Sequence, residues 1–425
     1  MRIFLFFGMV WFLGISQAAS ITMEEAVRQA LERSDQAAII QEARNRADAD
    51  AEGVTAFTLP QIDTTAAYLK MGSGVDVNTG IPALDRELAP PEKQISARVD
   101  ASQVIWSGGR VWNSYSLRRE LETLSQLKET SQKTELTKQV SLAFITVLYQ
   151  QARLAVRQDR VAQRKVELQD ATDLFEAGMV TNLDVREAQL NLHVAMDDLQ
   201  AGESELHTAL VDFNLVIGQD MVTDLLLPEG ALTRPDALGA KITQLTTLVR
   251  DGDQRDLRLA RHQLESSRMN LKMANGERWP MLLLVAGGEY SGEESSEMEE
   301  SWNAGVQLQW NLYDGGAVSS RKAAARADMR NFQAVLDQTT KDLSGTIRKL
   351  ETEVDRLDKR IQLQEKTVTL SHENYEDARG LYGQGTMTLT RLGDFNLLFA
   401  EARFNLLRLY FLENQIDLNV AALTQ

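Results

Sequence analysis

Proline placement constrains this chain more than any other feature. All seven prolines fall at Pro60, Pro82, Pro90, Pro91, Pro228, Pro235 and Pro280, so stretches 92–227 and 281–425 contain none. Proline removes a backbone donor and breaks a helix. Both stretches are therefore open to uninterrupted helices of unusual length. In the second, Leu343, Ile347, Leu350, Val354, Leu357 and Ile361 recur at spacings of four and three. That is a heptad seam, which imposes left-handed supercoiling. Helices over about 110–175 and 317–382 would each run about 100 Å at ~1.5 Å per residue, longer than a compact globular domain requires.

The two stretches repeat one plan. Trp106-Ser107-Gly108-Gly109 recurs as Tyr313-Asp314-Gly315-Gly316, and Phe175-Glu176-Ala177-Gly178 as Tyr382-Gly383-Gln384-Gly385, each 207 residues later (106 to 313, 175 to 382). Leu190, Ala195 and Leu199 fall on Leu397, Ala402 and Leu406 at the same offset. The heptad seam falls on Leu136, Val140, Ala143, Val147, Gln150 and Leu154, with one polar lapse. Pro60 and Pro280 lie 220 apart, so the first copy holds about 13 extra residues, placed as a loop insertion in the Gly- and Pro-rich stretch 72–91.

Strands are expected between the helices. Trp302, Ala304, Val306, Leu308, Trp310 and Leu312 alternate with Asn303, Gly305, Gln307, Gln309 and Asn311, an apolar face against a polar one. Ile95, Ala97, Val99 and Ala101 alternate more weakly with Ser96, Arg98, Asp100 and Ser102. Stretches 61–70 and 281–290 are the other two candidates. About ten residues is the length of a tilted membrane strand, and Trp302 and Trp310 would sit at the two membrane interfaces. Four strands cannot close a membrane barrel; three copies would supply twelve.

Arg2, the uncharged apolar run Ile3–Ile15 and the small residues around Ala18 read as a secretory signal peptide cleaved after Ala18, with Ala19 the near alternative. The chain has no cysteine, which excludes disulfides, thiolate metal sites and lipid attachment after cleavage. A formal charge of −16 argues against nucleic acid as a partner. No run of 18 apolar residues follows the leader, so a membrane crossing would have to be a closed β-barrel.

In the order Leu59-Pro60-Gln61, Trp106-Ser107-Gly108-Gly109, Phe175 through Val185, Arg278-Trp279-Pro280, Asn311 through Gly316 and Tyr382 through Asp394, the mature chain resembles the TolC-like outer-membrane efflux family. The resemblance implies a mainly α fold with a membrane β-barrel portion. Two tandem repeats would make a long coiled-coil helical barrel and four strands per protomer of a trimeric twelve-stranded barrel. It implies residues 1–18 as leader and 19–219 as first repeat, with strands at about 61–70 and 95–105 and helices at about 110–175 and 181–217. A 220–240 linker would follow, then a second repeat, 241–425, with strands at about 281–290 and 302–312 and helices at about 317–382 and 388–423. It also implies a homotrimer in the outer membrane of a Gram-negative bacterium, reaching into the periplasm. There the duct would dock onto an adaptor and an inner-membrane pump of proton-driven (RND) or ATP-driven (ABC) type.

Gly178 and Gly385 would stop the long helices, since glycine adopts positive φ freely. Thr181 or Asn182, and Thr386 or Thr388, would cap the return helices. By resemblance, the closing tyrosine and its acidic partner fall on Tyr382 and Asp184, and the basic partner falls on Met387, which cannot form a salt bridge. The acidic entrance ring falls on Asp394, with Arg391 at its companion position. Arg391 is long enough to reach a carboxylate in place of the missing cation.

Nothing suggests catalysis. His193, His207, His262 and His372 lack metal-ligand spacing and read as surface residues, and phosphate-loop, nucleophile-elbow and zinc-helix motifs are absent. The acidic run Glu293–Glu300 reads as a solvated loop. No cofactor or metal is implied. The competing reading is a periplasmic coiled-coil adaptor or scaffold without a pore of its own, which would carry one hairpin rather than two.

Overall fold

The computed structural model describes residues 20–70, 80, 93–219, 225–292 and 298–424. The leader, positions 220–224 of the linker and positions 293–297 of the acidic run lie outside the described residues, as does the loop insertion apart from Gly80. In chain order the elements are β1 (Ser20–Ile21), α1 (Met23–Arg33), α2 (Asp35–Gly53), a 3-10 turn (Ala56–Thr58), β2 (Gln61–Lys70), β3 (Lys93–Trp106), α3 (Arg110–Glu176) and α4 (Asn182–Val216). They continue with β4 (Leu227–Pro228), α5 (Leu238–Asp251), α6 (Arg255–Gly276), β5 (Met281–Gly292), β6 (Glu299–Gln309), α7 (Ala317–Gly383) and α8 (Leu389–Thr424).

The long helices α3 and α7 are each 67 residues, about 100 Å at ~1.5 Å per residue. Among the described residues, no helix is long and apolar enough to cross a membrane.

The chain forms two compact units, and neither is a sequence half. Of the described residues, those within 1–41, 130–255 and 343–425 form one, and those within 42–129 and 256–342 form the other. Helices dominate the first unit. The seam leucines and isoleucines are its core: Leu343, Ile347, Leu357 and Ile361 are buried on α7, and Leu136, Val140 and Val147 on α3. The α3 seam packs with Ile21, Ala26, Ala30, Ile40, Phe213 and Ile217, and Phe144 meets Phe213 edge-to-face at 5.8 Å. On the other hairpin, Ile347 packs with Leu238, Ile242, Leu245 and Val420, and further along Leu357 and Ile361 pack with Leu409. Ion pairs tie α5 and the segment before it to this hairpin. Arg234 binds Glu413 through Nε (3.0 Å) and Nη2 (2.8 Å), and Lys241 reaches Asp417 at 2.6 Å.

The second unit holds a four-stranded antiparallel sheet, ordered β2-β3-β5-β6. The Gly-Gly pairs make the strand-to-helix corners. Gly108 and Gly109 have φ of 60° and 84°, and Gly315 and Gly316 have 66° and 90°, values that side-chain-bearing residues avoid. At Gly108 a β-carbon would also lie 2.6 Å from the Gly276 carbonyl oxygen, so only glycine lets that corner pack against the end of α6. At the second corner Asp314 caps α7, accepting from the Gly316 and Val318 amides at 2.9 and 2.6 Å.

Two sequence expectations shift. The strand expected at 302–312 is Glu299–Gln309, so Trp310 and Leu312 follow it rather than belong to it. His262 is half-buried rather than a surface residue, with Nδ1 2.8 Å from Glu120, while His372 is exposed and stacks on Phe399 at 4.8 Å. Both gain partners from other helices, which spacing along one helix does not reveal.

Candidate functional sites at the hairpin turns and the sheet

The hairpin turns lie in the first unit. After α3, Gly178 takes φ +74°; its amide reaches the Phe175 carbonyl at 2.9 Å, and Met179 N–H reaches the Leu174 carbonyl at 2.9 Å. After α7, Gly385 takes φ +72° with the same double bond pattern, to Tyr382 at 2.8 Å and from Thr386 to Leu381 at 3.0 Å. This is the Schellman closure of a helix by a left-handed glycine. A β-carbon on Gly385 would lie 2.8 Å from Met179 Cε, so the two turns touch.

Thr181 and Thr388 are the caps. Thr181 donates to Asp184 Oδ2 from its amide and its hydroxyl, both at 2.7 Å, and Thr388 Oγ1 accepts from the Arg391 amide at 3.4 Å. The Thr181 hydroxyl first, and then its amide, hold the Asp184 carboxyl below the usual range. Asp184 is thus committed to its own helix.

Tyr382 lies in an apolar core with Ala171, Leu174, Ala188, Tyr375, Ala378, Leu389, Leu392 and Phe399. Its hydroxyl is buried without a hydrogen-bond partner among the described residues, and its pKa is pushed up to about 12, by burial first and then by the charge of Asp184. Tyr382 and Asp184 therefore share a neighbourhood without a bond between them. Met387 packs on the same core. Arg391 Nη1 lies 3.5 Å from Asp394 Oδ2 and its guanidinium sits 4.9 Å from the centre of the Phe395 ring, so both charges are exposed but compensated within one helical turn.

Residues that the motifs did not single out join the two hairpins. Thr390 Oγ1 donates to Glu187 Oε1 at 3.0 Å, and Arg379 pairs with Asp170 at 3.6 Å. A buried carboxylate, Glu167, accepts from Arg164, Tyr375 and Asn396. Its sequence signal is an acid beside a heptad seam, which by itself does not distinguish burial from exposure.

The sheet, in the second unit, has two chemically distinct faces. Cross-strand register places Ile62, Ala66 and Tyr68 with Ile95, Ala97, Val99 and Ala101, then Leu282, Leu284, Ala286 and Tyr290, then Trp302, Ala304, Val306 and Leu308. Most of this apolar face is exposed: Trp302 at 81% and Val306 and Leu308 at 63%. The other face carries Asp63, Thr65, Arg98, Asp100, Glu289, Ser301, Asn303 and Gln307, with Val104, Leu283 and Val285 at its helix-proximal end. Gly287 leaves room there: a β-carbon would lie 2.8 Å from Asp100 Oδ1 and 2.9 Å from Asn303 Oδ1.

Exposed aromatics gather at both ends of the apolar face. Tyr68, Tyr290 and Trp302 stand toward one end; Trp106, Trp279 and Trp310 stand where the strands begin or end near the helices. An irregularity after Val104 sets Trp106 opposite Leu282, on the apolar face. Trp310 Nε1 donates to the Arg278 carbonyl at 3.3 Å, which anchors it. In the sequence Trp106 stands only as a repeat marker and Trp279 only within a segment carrying the resemblance; strand pairing gives Trp106 its position. Among the described residues β2 and β6 each have one neighbour, so the sheet has two unpaired edges. No metal cluster occurs among the described residues.

Comparison with known proteins agrees with this geometry. The chain is 24% identical over 383 residues to outer membrane protein TolC of Vibrio cholerae, covering 84% of this chain and 82% of that one. It is 27% identical over 182 residues to the proteases secretion protein PrtF of Dickeya chrysanthemi, covering 41% and 39%. Among solved structures, it matches the outer membrane protein VceC of Vibrio cholerae with a TM-score of 0.78 at 13% identity, covering 95% and 96%. CusC matches with a TM-score of 0.77 at 16% identity, covering 94% and 91%. The family model described as outer membrane efflux protein matches residues 26–219 and 252–425, taking in both long hairpins and all four strands of the sheet. The chain belongs to the outer membrane efflux protein family.

Proposed function

We propose that three copies of this chain assemble into an outer-membrane exit duct. Each would contribute β2, β3, β5 and β6 to a twelve-stranded barrel, and α3, α4, α7 and α8 to a periplasmic helical barrel. The observation that carries this reading is the two-faced sheet. Its apolar face is uncovered, its opposite face is mainly polar, and among the described residues both edges are unpaired. Such a sheet is unstable in water and open to further strands. A closed barrel removes the edges and turns the apolar face to lipid, with Trp302 and Trp310 among the interfacial aromatics. A pore-free scaffold has no use for such a sheet.

In this reading the halves 19–219 and 241–425 are tandem repeats joined by a 220–240 linker. A leader through Ala18 directs export, and the absence of cysteine leaves the protein without a lipid anchor. The duct is passive, with no catalytic group. Its turns, with Gly178 and Gly385 as breaks, meet a periplasmic adaptor and an inner-membrane RND- or ABC-type pump. The likeness to a proteases secretion protein supports a secretion context, and membership of the outer membrane efflux protein family an efflux one. Tyr382 and Met387 close the tip through packing, with the Asp184 charge beside Tyr382, and Arg391 shields Asp394 at the entrance.

The test is imaging of the detergent-purified protein with bilayer recording. Three-fold particles with helices of about 100 Å and discrete single-channel currents are expected. Monomeric particles without currents would overturn the reading.

A further inference from the structure

Glu167 of α3 is 1% exposed, and three helices hold its carboxylate. Arg164, on the same helix, donates to Oε2 at 2.6 Å. Oε1 accepts from the Tyr375 hydroxyl of α7 at 3.2 Å and from Asn396 Nδ2 of α8 at 3.0 Å. Asn396 Nδ2 also reaches Gln163 Oε1 at 3.0 Å. The charged and titratable groups around it are few. Arg160 on α3 is held by Asp198 of α4 and feels Glu401 of α8; Arg379 of α7 is paired to Asp170 of α3; and Tyr382 of α7 feels the Glu167 charge. Glu167 is therefore a polar joint between the α3–α4 hairpin and the α7–α8 hairpin, near their turns.

Two observations decide which protonation state this packing favours. Burial raises the carboxyl above its ordinary range, outweighing the opposing pull of Arg164 and of the hydrogen bonds. Independently, Asn396 Oδ1 is buried without a donor. A carboxylate has no proton to offer it, whereas a carboxylic acid on this neighbouring side chain does. We infer that Glu167 is a positioning residue for the closed tip, a latch that protonation tightens and ionisation loosens. The sign follows from linkage. A group that binds its proton more tightly when packed favours the packed state in acid, and loses that advantage as pH rises through the raised value. An acidified periplasm would hold the hairpins together.

The inference rests on reading the turns as a gate, and the test separates the two. The chain has no cysteine, so Glu176→Cys with Gln384→Cys places one spin label on each exposed turn of the full-length protein. Labelled chains are diluted with unlabelled ones, and distances are measured between about pH 5 and pH 8. The wild type should shift toward longer distances as pH rises, with a midpoint above the ordinary glutamate range. Glu167→Gln, which accepts and donates as the acid does, should keep the short distance throughout. Tyr375→Phe removes a donor that favours the anion and should move the midpoint to higher pH; it decides the matter if Glu167→Gln does not fold. A wild-type distance insensitive to pH, or a Glu167→Gln titration matching wild type, overturns the latch. Single-channel currents on the same samples judge the gate. Distances that titrate without a change in current sustain the latch and sink the gate reading, and currents that respond while distances stay fixed do the reverse.

Discussion

Substituting arginine along β6 tests the orientation of the sheet. Val306 lies four residues from Trp302 and four from Trp310, about 13 Å each way at ~3.3 Å per residue. It is 63% exposed and pairs across the sheet with Leu284. If the apolar face meets lipid, Val306 is at the middle of the hydrocarbon band. Arginine there costs about 2–4 kcal/mol, falling to about 0–1 kcal/mol near the interfaces. Loss of the Val306–Leu284 pair adds about 0.2–1 kcal/mol. Val306→Arg should therefore cost about 2–5 kcal/mol per chain, with every copy in the assembly bearing it. Ala304→Arg and Leu308→Arg should cost less, and Trp302→Arg least of the charge penalty. Gln307→Arg, on the polar face beside it, should stay within about 0.5 kcal/mol. The assay is urea titration in phospholipid vesicles, following the folded band on an unheated gel. A flat profile along the strand, or equal costs at positions 306 and 307, would refute a lipid-facing apolar surface.

Gly108→Ala combines a φ of +60° with a backbone oxygen 2.6 Å from the new carbon, and should destabilise by about 3 kcal/mol or more in chemical denaturation. Gly239→Ala, in α5 with open space around it, should be neutral or stabilise by up to about 1 kcal/mol. Arg234→Ala leaves the buried Glu413 carboxylate without its partner and should cost about 2–3 kcal/mol, below the fully buried case because Arg234 is partly solvated. Asp184 supports the start of α4 through a depressed pKa, so its contribution is present above the ordinary aspartate value and lost as pH falls through the lowered one. Asp184→Asn should remove the pH dependence and about 0.5–1 kcal/mol of local stability, read by amide exchange over 176–188. Arg391→Ala should unmask Asp394 and raise cation preference in single-channel recordings, whereas Asp394→Asn in the presence of Arg391 should change it less.

Much of the fold was legible because the informative residues act locally. Proline-free length, the heptad seam and the Gly-Gly corners each constrain their own neighbourhood, and α3, α7 and the positive-φ glycines lie where those signals stand. Strand ends were less legible. Trp310 continues the apolar alternation, but the ladder ends at the Met281–Gln309 pair, where Pro280 offers no backbone donor to the next position, so β6 stops at Gln309. The hairpin turns were located, but their bonding was not. Asp184 read as half of a closing contact because a motif gives a residue's position and not its partner, and Thr181 occupies its carboxylate. Glu167 was invisible as a site, since an acid next to a seam is ordinarily solvated, and only Tyr375 and Asn396 from the other hairpin enclose it.

Sequence alone determined the elements and their faces, because helix and strand periodicity depend on residues within a turn or two of one another. Tertiary structure decided the pairings. It set β3 beside β5, so that strands from the two halves share one sheet, and it buried Glu167 against Tyr375 and Asn396. Those outcomes depend on which distant surface arrives opposite each face and on how much water it excludes, and neither is encoded in the spacing of residues along a single element.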